Sequence, residues 1–129
     1  MQQFQFRADI YDIAPVQLHQ LLRELWPELS FRSRLVGYQM FLEVPGLQMS
    51  IETMDESYPT YTLNARYETD ETGAAAWAHA LCQQLEEALL LYSLDYVEVD
   101  DQGNELGEEI SFWSPDFEAR YQVRRKAFE

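Results

Sequence analysis

The stretch from Gly73 to Trp113 constrains the fold of this chain more than any other, because it carries a long apolar helix that runs straight into an acidic β-hairpin. From position 74 the helix reads AAAWAHALCQQLEEALLLYS. At about 100° per residue, Trp77, Ala78, Leu81, Cys82, Leu85, Ala88, Leu89 and Tyr92 share one face. His79, Gln83, Glu86 and Ser93 lie opposite, the pattern of a helix laid against a core. Leu90 and Leu91 fall outside that stripe, so the spacing predicts a last turn that is apolar nearly all round. The chain itself or a partner must cover such a turn.

The hairpin follows at once. Tyr96-Val97-Glu98-Val99 and Ile110-Ser111-Phe112-Trp113 each alternate with period two. Asp100-Asp101-Gln102-Gly103-Asn104 between them is turn chemistry, with Gly103 placed for a left-handed position after a type I turn. From Asp95 to Glu118 there are nine acidic residues and no Lys or Arg. This run is the strongest functional signal in the sequence.

The rest of the chain supplies the partners for these two elements. Phe4, Phe6, Ala8 and Ile10 alternate with Gln5, Arg7 and Asp9, which predicts an opening strand with one buried face. Pro15 suits the first position of a helix whose apolar face is Leu18, Leu21, Leu22, Leu25 and, more peripherally, Trp26; Pro27 stops or kinks it. A long strand is expected from about Phe31 to Val44, with Tyr38–Leu42 covered on both sides. Pro45-Gly46 then turns the chain into the alternation Leu47, Met49, Ile51. Asp55 to Pro59 reads as a polar loop, Tyr61, Leu63, Ala65 and Tyr67 as a further strand, and Asp70 or Thr72 as the cap of the long helix. Ser114-Pro115-Asp116 reads as the start of a C-terminal helix, with Ser114 capping and Asp116 placed to pair with Arg120.

These elements predict a single α+β domain over 1–129, in the order β-α-β-β-β-α-β-β-α. The sheet is mostly antiparallel, with two main helices on one face and a C-terminal helix. The segment 114–129 is a tail for docking or interaction, and its stripe Phe117, Tyr121 and Phe128 is a candidate homodimer contact.

Charge then narrows the function. The net charge is −14, and four of the nine basic residues (Arg120, Arg124, Arg125 and Lys126) fall in the last ten positions. Positions 1–119 hold 22 acidic and 5 basic residues, a balance of −17. Direct binding to nucleic acid or an anionic membrane is disfavoured, because phosphate contacts need the opposite sign. No window approaches the roughly 18 apolar residues of a membrane span. The N-terminal MQQFQFRADIYD lacks a signal-peptide pattern, and the single cysteine allows no internal disulfide, so a cytoplasmic setting is expected.

Catalytic machinery is hard to assemble from these residues. His19 and His79 fall on polar helix faces beside no nucleophile, and Cys82 points into the core as an inert thiol. There is no G-x-S-x-G and no phosphate-cradling glycine loop. Glu98, Asp100, Gln102, Gly103 and Glu109 echo a calcium-loop spacing, but a strand stands where the incoming helix belongs. Adjacent acids such as Glu108-Glu109 point to opposite faces of a strand and make no acid–base pair. No cofactor and no metal are expected.

The sequence therefore favours a binding protein over an enzyme. Asp95, Glu98, Asp100, Asp101, Glu105, Glu108, Glu109, Trp113 and Asp116 are its candidate partner-binding residues, with acids as steering groups and aromatics as anchors. The expected partner is a basic protein, either a toxin or an enzyme acting on nucleic acid. In size and charge the chain resembles the small acidic immunity proteins of bacterial toxin systems, a resemblance that implies inhibition by occluding the partner's active or substrate-binding site. Two other readings stay open: a phage-type DNA mimic that inhibits a nucleic-acid enzyme, and a small-ligand-binding or enzymatic α+β domain with an apolar pocket.

Overall fold

The alternation of Phe4, Phe6, Ala8 and Ile10 forms not an edge but a central strand. In the computed structural model, which describes residues 1–53 and 59–127, this strand, β1 (Gln3–Tyr11), pairs on both sides. The elements that follow are α1 (Pro15–Arg23), β2 (Ser30–Ser33), β3 (Tyr38–Val44), β4 (Leu47–Thr53), β5 (Thr60–Glu68), α2 (Glu71–Glu87), β6 (Leu91–Val99), β7 (Ile110–Trp113) and α3 (Phe117–Ala127). They build one seven-stranded sheet in the order β2-β3-β4-β5-β1-β6-β7, antiparallel at every pairing. The fold is α+β, as the sequence indicated. No helix among the described residues is long and apolar enough to cross a membrane.

One face of the sheet is the core. Phe6, Ile10, Met40, Ile51, Leu63, Leu94 and Tyr96 meet Leu18 and Leu22 of α1 and Ala74, Ala78, Leu81 and Leu85 of α2. Burying each of the larger aliphatic side chains contributes about 1.5–3 kcal/mol, so this layer dominates the stability. Trp77 lies among Phe6, Trp26 and Tyr67, with ring centroids 4.4, 5.2 and 6.3 Å away. Gln84 ties the two helices together by donating to the Leu21 carbonyl at 2.9 Å and to the Glu24 carboxylate. Asp70 caps α2 by accepting from the Gly73 N–H at 2.7 Å.

Several sequence expectations are corrected. The long helix does not reach Tyr92 or Ser93: α2 ends at Glu87, and Leu91, Tyr92 and Ser93 belong to β6. Leu89 turns left-handed at φ 59°, its N–H donates to the Glu86 carbonyl, and the Leu90 N–H donates to the Leu85 carbonyl. This is a Schellman stop with leucine in the place usually held by glycine. The turn that looked apolar all round is the start of a strand buried on both faces: Leu90, Leu91 and Tyr92 are all covered.

The expected strand over Phe31–Val44 is a hairpin, β2 and β3, turned at Gly37 with φ 81°. Its centre is covered on one side only; Phe41 is 40% exposed and carries the Arg32 guanidinium 5.4 Å from its ring centroid. Ser114 does not cap α3. It is buried, its N–H donates to the Tyr92 carbonyl at 3.0 Å, and its Oγ accepts from the Tyr92 N–H at 3.2 Å. A turn through Asp116, at φ 57°, precedes the helix. Arg120 reaches the Leu89 carbonyl at 2.9 Å instead of the expected Asp116 carboxylate.

The tail docks on its own domain, on the sheet face opposite α1 and α2. Tyr11 points away from the Phe4–Ile10 row, and its ring meets Phe117 at 6.5 Å and Tyr121 at 5.9 Å. Arg124 clamps this contact from 4.7 Å above the Tyr11 ring, pairing with Asp12 and donating to Thr60 Oγ1 at 2.9 Å. Phe128 and most of the expected 55–59 loop lie outside the described residues.

Candidate functional site

The acidic run is pinned at its base and tip by hydrogen bonds. Val99 bridges Glu105, and the Leu106 N–H donates to the Glu98 carbonyl at 2.8 Å. At the tip, the Gly103 N–H donates to the Asp100 carbonyl and Gly103 takes φ 85°, the turn its sequence promised. The Asp100 carboxylate gathers the N–H groups of Gln102 and Asn104, each at 2.9 Å, and the Asn104 side-chain amide at 3.2 Å. Those donors hold the Asp100 carboxyl below the usual aspartate range. Asp100 therefore builds the turn. Asp101 beside it is exposed and accepts from Gln3 at 3.3 Å.

Every residue from Asp101 to Ile110 is exposed. The loop displays Asp101, Glu105, Glu108 and Glu109 with no cation of its own. It bends across the sheet face that α1 and α2 leave open: a side chain added at Gly103 would come within 3.2 Å of the Arg66 guanidinium of β5.

The strands sort the remaining carboxylates onto two faces. Asp95 lies on the open face, opposite Arg7 of β1 and Ser111 of β7. Partial burial raises its pKa, and Glu109, Asp9 and Glu105 raise it further against the pull of Arg7. Asp95, Glu105 and Glu109 thus share one region of negative potential. Glu98 points to the other face, where it and Glu108 join Glu71, Phe4, Tyr96 and Ile110 around a hollow of about 370 Å3. Burial and then Glu71 push the Tyr96 hydroxyl up.

Of the aromatics and outlying acids, Trp113 stands 59% exposed at the end of β7, opposite Ser93. Asp116 sits beyond it in the turn before α3, at the other end of β7 from the acidic loop. The structure therefore joins Asp95, Glu105 and Glu109, and separately Glu98 and Glu108, while Asp116 stands apart.

Sequence reasoning did not place Arg7, Asp9 and Glu71 beside the hairpin acids. The period-two pattern places Arg7 and Asp9 on the polar side of β1, but nothing in it says that β6 lies alongside. Ser111 was also missed, because a small polar residue in a strand carries no signal of its own.

Among the described residues, neither histidine has a hydrogen bond to a Ser or Cys side chain. His19 Nε2 donates to the Leu29 carbonyl at 2.7 Å, and His79 meets the Phe112 ring at 5.5 Å. Cys82 is buried, and that burial pushes its thiol up, away from the reactive thiolate. Among the described residues, no group of three or more His, Cys, Asp or Glu side chains converges as a metal site. A scan against protein-family models finds no match to the chain, and neither does a comparison with curated proteins.

Proposed function

We propose that this protein binds and neutralises a basic protein partner, in the manner of a bacterial toxin-immunity protein acting in the cytoplasm. The observation that carries the reading is the ordered loop 101–110, exposed at every position and acidic at four of them, with its tip fixed by Asp100. An ordered loop loses little conformational entropy on docking, so its charges contribute more fully to association than those of a floppy tail.

The mechanism is steering followed by occlusion. Asp101, Glu105, Glu108 and Glu109 draw in a cationic surface, and the field falls off with salt over a Debye length of about 8 Å at physiological strength. Once docked, the carboxylates pair with the Lys and Arg groups that would otherwise hold the partner's substrate. Ile110, where the loop enters β7, and Trp113, at the far end of that strand, are both exposed and supply the apolar anchors that acids alone lack.

The test is capture of basic proteins from the native cell extract on the tagged full-length protein, at low and then moderate salt. A stoichiometric basic partner retained at moderate salt supports the proposal. Recovery of only weak, salt-sensitive binders contradicts it.

A further inference from the structure

The two edges of the sheet are finished differently. On the β2 edge, Arg32 donates to Gln39 Oε1 at 3.0 and 2.6 Å, and the nearby Arg34 pairs with Glu52. Charged side chains of this kind are a usual guard against strand addition. The β7 edge has no such guard within its four residues: Ile110 is 46% and Trp113 59% exposed, with Ser111 and Phe112 between them.

The phase of the ladder is fixed by the Ser114 N–H donating to the Tyr92 carbonyl. Hydrogen-bonded and non-hydrogen-bonded positions alternate along an antiparallel pair. Phe112 opposite Leu94 and Ile110 opposite Tyr96 therefore turn their backbone groups toward β6. Ser111 and Trp113 turn theirs outward. Among the described residues nothing meets those two N–H and two carbonyl groups.

We infer that β7 is a docking edge for an extended basic segment of the partner, which adds to the sheet as an eighth strand through Ser111 and Trp113. This rests on the proposed function and names its geometry. Backbone pairing gives affinity in strand addition, and flanking groups choose the sequence. Glu108 and Glu109 enter β7 directly, and Asp116 follows it, so the edge is bracketed by carboxylates. A second copy of this chain would bring like charges together there, which is unfavourable. A strand carrying Lys or Arg meets complementary charge at both ends, with Trp113 and Ile110 on opposite faces of the edge to pack its side chains.

The test is amide hydrogen exchange on the labelled full-length protein with a peptide of alternating lysine and valine. At a peptide concentration about ten times its Kd, the Ser111 and Trp113 amides slow by about tenfold. The same peptide N-methylated along its backbone binds about tenfold more weakly or not at all, and an alternating glutamate–valine peptide gives no protection. Absence of Lys–Val binding, binding without protection of these two amides, equal binding of the N-methylated peptide, or self-association through β7 would each overturn the inference.

A Ser111→Pro variant separates this inference from the function it rests on. Proline is tolerated at an edge position whose N–H faces solvent, and it removes the outward donor. If the natural partner is captured through the acidic loop and Ser111→Pro captures it equally well, the function stands and strand addition is wrong.

Discussion

Ser114 closes the hairpin onto Tyr92 from both sides: its N–H donates to the Tyr92 carbonyl at 3.0 Å, and its hydroxyl accepts from the Tyr92 N–H at 3.2 Å. This pair sets the register of β7, and with it which backbone groups face outward. Replacing Ser114 by Ala leaves a buried N–H without an acceptor. The expected loss is about 1–3 kcal/mol, read from denaturant midpoints, with faster exchange of the Tyr92 amide. An unchanged midpoint would mean that the hydroxyl does not anchor the hairpin.

Leu89 is 79% exposed and left-handed, so it carries backbone strain with little burial in return. A non-glycine residue in that conformation costs roughly 1–2 kcal/mol, and the chain entropy of glycine offsets about 0.5–1 kcal/mol of the relief. Leu89→Gly is therefore expected to stabilise the fold by about 0.5–1 kcal/mol. A destabilised variant would show that the leucine side chain makes a contact outweighing its strain.

Arg124 holds the tail through one guanidinium, with Nε 3.0 and 3.1 Å from the two oxygens of Asp12. It is 13% exposed, so the pair is better shielded than a surface ion pair. Arg124→Ala is expected to cost about 1–2 kcal/mol and to speed exchange along α3 while leaving β1 protected. Arg124→Lys keeps the charge but loses the two-pronged geometry and the stacking on Tyr11, and recovers only part of the loss. Uniform exchange in α3 across all three proteins would rule out this clamp.

The two perturbed carboxyls in the hairpin bear on stability in opposite senses. Asp95, held above the ordinary aspartate value of about 3.9, keeps its proton longer folded than unfolded. Stability therefore falls as pH rises from the ordinary value through the raised one. Asp100 is held below the ordinary value, and its contribution is lost as pH falls through the lowered one. Carboxyl titration by NMR should place Asp95 above and Asp100 below the ordinary aspartate value, and Asp95→Asn should be no less stable than the parent at neutral pH. The reverse order would contradict the electrostatic picture of the loop.

Much of the fold was legible because its signals are local. The Phe4–Ile10 alternation, the Asp70 cap and the Gly103 turn each depend on residues a few positions apart, and each stands in the structure where the spacing put it. The end of α2 was not legible. Ala88, Leu89 and Tyr92 continue a helical stripe by coincidence, and the position where glycine usually stops a helix holds a leucine, kept left-handed by the Schellman hydrogen bonds to Glu86 and Leu85. The tail was legible in part: its stripe, with Arg124 in line, allows docking on its own sheet, but only the fold shows that Asp12 and Tyr11 lie beneath the guanidinium. The acidic hairpin was visible as composition and its alternation divides the acids between two faces, but which residues lie beside them follows from pairing with β1, far away in the chain.

The central claim is that the carboxylates of loop 101–110 recruit a basic partner. The most direct measurement compares the parent with the quadruple variant Asp101→Asn, Glu105→Gln, Glu108→Gln and Glu109→Gln, sparing Asp100 because it builds the turn. Both are used to capture the partner from native extract, and the association rate of the recovered partner is then followed against salt. The account predicts association slowed at least about tenfold in the variant, with a flattened salt dependence. An unchanged rate and salt slope, in a variant that keeps its fold, would contradict it.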